Sequence, residues 1–209
     1  MNAWIEAALD SWIGSSRWMG WNLFLAILPL GLSVWLFRRN QARSLFWWIV
    51  CLTFVAFLPN APYVLTDLIH LSREIRYNSS PWFNTVVVLP KYALFVLIGF
   101  QAYVISLINA GSYLRQNHLS RYILPMEMML HVLSAIGVYL GRFERLNSWY
   151  FVTRLHVVLD SVTDTLLEQR PLVIIALTFV VIAVLYWLFK EITLALLRRW
   201  QASHPSLEP

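Results

Sequence analysis

From Trp18 to Phe37 the chain carries no charged side chain, and Arg38, Arg39 and Arg43 follow almost at once. A helix needs about 20 mostly apolar residues to cross the hydrocarbon of a bilayer. Inside that hydrocarbon a backbone must satisfy its own polar groups, which an α-helix does within one segment. The pattern recurs along the sequence, and spans are expected at approximately 18–37, 44–64, 83–109, 122–141 and 172–189. The expected fold class is all-α: a polytopic transmembrane helical bundle of about five spanning helices plus interfacial amphipathic helices. Residues 1–209 are read as a single integral membrane domain.

Composition agrees. Only 13% of the residues are charged, against about 25% in soluble domains. The net charge of +5 does not point to nucleic acid, because the basic residues sit at the ends of apolar runs, where they set topology. Membrane lipids are the expected partners, with no nucleic acid. One cysteine, Cys51, excludes an intrachain disulfide. Three arginines directly after the first span place the N-terminus outside and the C-terminus in the cytoplasm of a cell-membrane protein.

Proline and amphipathic spacing refine the picture. Pro59 and Pro62 should break the second helix near Pro59, and Pro90-Lys91 interrupts the third. Ile5, Ala8, Leu9, Trp12 and Ile13 recur at helical spacing opposite Glu6 and Asp10, which reads as a short interfacial helix. Leu155, Val158, Leu159, Val162 and Leu166 form a second apolar face, inside the longest connection.

Polar residues gather in three places. The second span exits through Pro59-Asn60-Ala61-Pro62-Tyr63, then Asp67 and His70, which share a helical face. Those residues suit a ligand, proton or metal site at a broken helix, or a helix-ending turn capped by Asp67. The fourth span exits through Arg142, Glu144, Arg145 and Asn147 at the same, outer, face. Arg142 and Arg145 are the guanidinium type that grips phosphate or carboxylate, or they form a helix-end salt-bridge cluster. Within the fourth span Glu127, His131, Ser134 and Arg142 trace one polar stripe, either a lining or a structural Glu127–His131 pair. Lys91, on the third span, either snorkels to the surface or pairs with Asp67 or Glu144. The two outer motifs are expected to meet, with Asp67 opposite Arg142 or Arg145. Gly137 and Gly141 suit close helix packing.

Metal ligation is not expected. Asp67, His70, Glu127, His131, His156 and Asp160 are ligand types, but none has the spacing of a zinc motif. No cofactor is expected, since the tryptophans fall near span ends as an interfacial belt.

The segments LPNAPYVLTDLIHL and YLGRFERLNSW resemble the signatures of an uncharacterised bacterial membrane-protein family, the domain of unknown function numbered 1361. The resemblance covers roughly the second span to the fifth and implies a helical membrane bundle without an established activity. That family often carries Asp where this chain has Asn84 and Tyr150, which argues against carboxylate catalysis at those positions. The leading functional expectation is a non-enzymatic protein that binds or passes a small polar or anionic species through an outer-face site. A membrane-embedded enzyme on a lipid-linked or envelope substrate is one alternative, with Asp67 or Glu144 as acid or base. A membrane assembly or scaffold subunit is the other.

Overall fold

The structure is a computed structural model that describes residues 3–39, 43–77, 80–144, 156 and 169–203. The described elements are all helical. In chain order they are α1 (Ala3–Val34), α2 (Leu45–Phe57), α3 (Asn60–Tyr63), α4 (Leu68–Tyr77), α5 (Pro81–Phe83), α6 (Leu89–Gln116), α7 (Ile123–Arg142) and α8 (Gln169–Ser203). Joined across π and 3-10 turns, they give five helical segments long and apolar enough to cross a membrane: Arg17–Arg39, Leu45–Tyr77, Pro81–Gln116, Ser120–Arg142 and Gln169–Ser203. Five spans are as the sequence indicates. Their ends run further than the apolar runs, because charged residues continue a helix into the interface as readily as apolar ones.

Local chemistry explains the starts and stops. Ser44 accepts from Trp47 N at 3.3 Å and begins α2, and Ser80 accepts from Phe83 N at 3.3 Å ahead of Pro81 at the first helical position. α6 ends where His118 adopts a positive φ of 59°. Leu119 N then reaches back to Leu114 O at 2.8 Å, a left-handed stop that turns the chain straight into α7.

Proline acts less disruptively than its spacing suggests. Pro90 does not interrupt the third span: a π turn at Asn84–Val88 widens the helix just before it, with Leu89 N bonded to Asn84 O, so the lost donor is absorbed without a break. At Pro59 the second span does break, but gently. Pro59 stays in the right-handed helical region (φ −59°, ψ −22°), α3 follows, and a 3-10 turn at Val64–Asp67 leads into α4. Asn60 Nδ2 donates to Phe57 O and Thr66 Oγ1 to Tyr63 O, both at 2.8 Å, so side chains serve the carbonyls that a broken helix releases.

The first helix also differs from expectation. Residues 3–34 form one continuous helix, not a short interfacial helix followed by a separate span. The expected amphipathic helix at 155–166 lies outside the described residues, apart from His156.

α6 is the central helix, packed against α1, α3, α7 and α8. Two glycines let the broken segment between α2 and α4 sit close to its neighbours. A Cβ added at Gly137 of α7 would lie 2.6 Å from both Cβ and Cγ of Pro59, and one at Gly99 of α6 would lie 2.8 Å from Val64 Cγ1. Both are closer than real side chains approach, so the segment fits between α6 and α7 only because these positions lack a side chain.

Candidate functional site

At one end of the bundle, here the Asp67 end, the 3-10 turn delivers Asp67 into the interior. Asn22 Nδ2 of α1 donates to Asp67 Oδ2 at 2.7 Å, and Arg142 Nη1 at the end of α7 lies 3.9 Å from Asp67 Oδ1. Asp67 is buried and Arg142 is partly exposed. The two exit motifs thus approach each other through Asp67 and Arg142, one of the two pairs their charges suggest. The cause is visible one to two turns away, where Gly137 lets Pro59 approach α7. His70 follows Asp67 by three residues and lies on the Trp18 indole, ring centroids 4.8 Å apart.

Lys91 belongs to the same end but not to that pair. Its ammonium does not snorkel: the side chain is 1% exposed. Nor does it meet Asp67 or Glu144. It donates to Glu74 Oε1 at 2.7 Å, to Glu74 Oε2 at 3.0 Å, and to the hydroxyls of Ser11 and Ser15 at 2.9 and 3.1 Å. Ser11 Oγ donates in turn to Glu74 Oε1 at 2.7 Å. Snorkelling fails because an acid partner on α4 and two hydroxyls on α1 surround the ammonium below the surface, satisfying it without bulk water. Trp18 lies between the two networks, against His70 on one side and Tyr92 and Phe95 on the other.

Glu127 and His131 do not pair with each other. Glu127 Oε1 accepts from Tyr186 Oη and Lys190 Nζ of α8, both at 2.6 Å. His131 Nδ1 is 2.7 Å from Tyr103 Oη of α6. Two i, i+4 pairs on facing helices interleave here, so each residue meets the opposite helix before its own neighbour. The polar stripe of α7 therefore divides, with Glu127, His131 and Ser134 buried against α6 and α8 and Arg142 at the broken helix. Of the remaining candidates, Asn60 bonds to the backbone of its own turn, Tyr63 is half-buried in α3, and Glu144 is exposed beyond α7. Arg145 and Asn147 lie outside the described residues.

Sequence reasoning missed Asn22, Glu74, Ser11, Ser15, Tyr103, Tyr186 and Lys190 as partners. A signal exists for most of them. Ser11, Ser15, Trp18 and Asn22 follow one face of α1, Asp67, His70 and Glu74 one face entering α4, and Tyr186 and Lys190 one face of α8. Helical spacing names the faces but not which face meets which.

Among the described residues no three His, Cys, Asp or Glu side chains gather as metal ligands. Among the hollows lined by the described residues, two bear on the site and the bundle. One, of about 430 Å³, is lined by Arg73, Arg76 and Tyr77 of α4. The other, of about 460 Å³, is apolar but for Gln101 and runs between α1, α6 and α8, with Ile27, Leu97 and Phe189 among its walls.

The sequence model of the family described as Protein of unknown function (DUF1361) matches residues 21–184. The chain belongs to this family. The matched range takes in Asn22, Asp67, His70, Glu74, Lys91, Glu127, His131 and Arg142, and ends before Tyr186 and Lys190. No curated protein and no solved structure matches the chain.

Proposed function

We propose that this membrane protein binds a small anionic species at its Asp67 end, and that this end faces outward from the cell membrane with the N-terminus outside and the C-terminus in the cytoplasm. The observation that carries the reading is Arg142. Among the described residues its guanidinium has one charged neighbour, Asp67, at 3.9 Å, beyond hydrogen-bond length. Asp67 already holds a 2.7 Å bond from Asn22. Arg142 thus keeps forked donors at a partly exposed rim, the arrangement that suits carboxylate or phosphate. The Arg73–Arg76 hollow on α4 adds positive charge to the same end. Arg142 is the direct anion contact and Asp67 its positioning partner. Lys91 and Glu127 are each held by an ion pair of their own and are not contacts for the anion.

A scaffold role is the second reading, favoured by the way Lys91 and Glu127 are tied to neighbouring helices. Thermal melting in neutral detergent separates the two. With inorganic phosphate added at matched ionic strength, the wild type should melt higher, and Arg142→Gln should weaken the apparent affinity by about tenfold, as expected for one charge-assisted hydrogen bond. If neither phosphate nor acetate moves the melting point beyond a chloride control, the scaffold reading replaces this one. Orientation has its own test. Tyr77 and Gln116 are exposed at opposite ends of the second and third spans. In a Cys51→Ser background, Tyr77→Cys should react with an impermeant maleimide added to intact cells and Gln116→Cys should not; the reverse pattern inverts the topology.

A further inference from the structure

Away from the Asp67 end, α6, α7 and α8 enclose a second polar cluster. His131 is fully buried and Tyr186 nearly so. The imidazole of His131 has Tyr103 Oη on Nδ1 at 2.7 Å, while Nε2 is buried with no hydrogen-bond partner among the described residues. The ring lies against Tyr186, centroids 4.7 Å apart. Tyr186 Oη donates to Glu127 Oε1, the oxygen that also accepts from Lys190 Nζ. Lys190 is 24% exposed, so this row of groups runs from a partly exposed ammonium on α8 to Tyr186, whose ring packs on the buried imidazole.

We infer that His131 is a proton-binding site within the membrane, with Glu127 and Lys190 as the charged groups that set its hold on the proton. A proton from water adds to the Nε2 lone pair, neutral imidazole becomes imidazolium, and no electron is transferred. In the tautomer that places hydrogen on Nδ1, Tyr103 Oη accepts that hydrogen and Nε2 presents its lone pair. The charged groups that face the ring decide the balance. Glu127, on the same helix, offsets the added charge. Lys190, on α8, opposes it. Tyr103 from α6 and Tyr186 from α8 are neutral hydroxyls able to donate or accept. A purely structural histidine would gain most from bonds at both nitrogens, whereas this one, among the described residues, is held at one and left open at the other, beside a carboxylate paired with a partly exposed lysine.

Nitrogen-15 NMR of imidazole-labelled full-length protein in nanodiscs tests this directly. His131→Gln assigns the signal by its disappearance; should that variant not fold, Tyr103→Phe assigns it by shifting the Nδ1 resonance alone. Between pH 4 and pH 9 the His131 signals should pass from two unequal nitrogens to the near-equal pair of an imidazolium. Glu127→Gln and Lys190→Gln should move the midpoint in opposite directions. A His131 that stays neutral over the whole range overturns the inference. So does a titration that both substitutions leave unmoved. The anion reading at Arg142 plays no part in either outcome.

Discussion

Two ion pairs at the Asp67 end differ in a way that composition does not reveal. Lys91 donates into a cage formed by Glu74, Ser11 and Ser15, with Glu74 Oε1 at 2.7 Å. Arg142 meets Asp67 at 3.9 Å and has no other charged neighbour among the described residues. Each pair has one buried partner and one partner about a quarter exposed: 1% and 22% for Lys91 and Glu74, 3% and 26% for Asp67 and Arg142. The exposed member is the acid in the first pair and the base in the second. The first arrangement is saturated and holds α1, α4 and α6 together. The second, among the described residues, leaves a cation with unused donors at the rim. A pairing of acid with base therefore gives a structural clasp in one place and a candidate binding group in another at the same end, and bond length and saturation distinguish them.

The largest effect should come from stripping the clasp. Glu74→Gln leaves Lys91 buried without its counter-charge, and an uncompensated buried charge costs about 3–5 kcal/mol. The two serines remain, so the lower end of that range is expected in a detergent melting assay. The double change Glu74→Gln, Lys91→Met should recover much of the loss. A single substitution no worse than a surface change would remove the distinction between the two pairs.

Next in size is the contact that brings the motifs together. Gly137→Ala inserts a methyl 2.6 Å from two Pro59 carbons, and overpacking of this kind costs about 1–3 kcal/mol. It should also separate Asp67 from Arg142 and lower anion affinity along with stability. Gly99→Ala meets the end of the Val64 side chain instead and should cost less. Equal tolerance of both changes would show that the broken segment is not clamped as described.

The smallest effect sharpens the comparison most. In a cycle of Asp67→Asn, Arg142→Gln and the double mutant, the coupling should be no more than about 1 kcal/mol, the range of a partly exposed pair. A coupling as large as that of Glu74 and Lys91 would mean that Arg142 is clasped too, and the case for a free anion contact would fall.

These contrasts also mark how far the sequence can be read. Five spans were legible because hydrocarbon imposes one local rule: an apolar run of sufficient length becomes a helix regardless of its neighbours. The meeting of the exit motifs was legible as well, since parallel spans with polar ends on one side can share partners there. A pairing of Asp67 with Arg142 or Arg145 followed from that argument, and the structure shows Arg142 beside Asp67. The gentle kink at Pro59 and the unbroken passage through Pro90 were not, because a 3-10 or π turn depends on what the neighbouring helices allow.

The partners of Lys91, Glu127 and His131 were decided by tertiary structure alone. Helical periodicity states which residues share a face, so Glu127 with His131 and Tyr186 with Lys190 stand out as pairs along their own helices. It says nothing about the rotation or vertical offset of one helix against another. Those are set by where small residues permit close approach, as at Gly99 and Gly137. An offset of a single turn, about 5.4 Å, exchanges one partner for another, and this is why the sequence determined the elements and their charged ends while only packing determined which charges met.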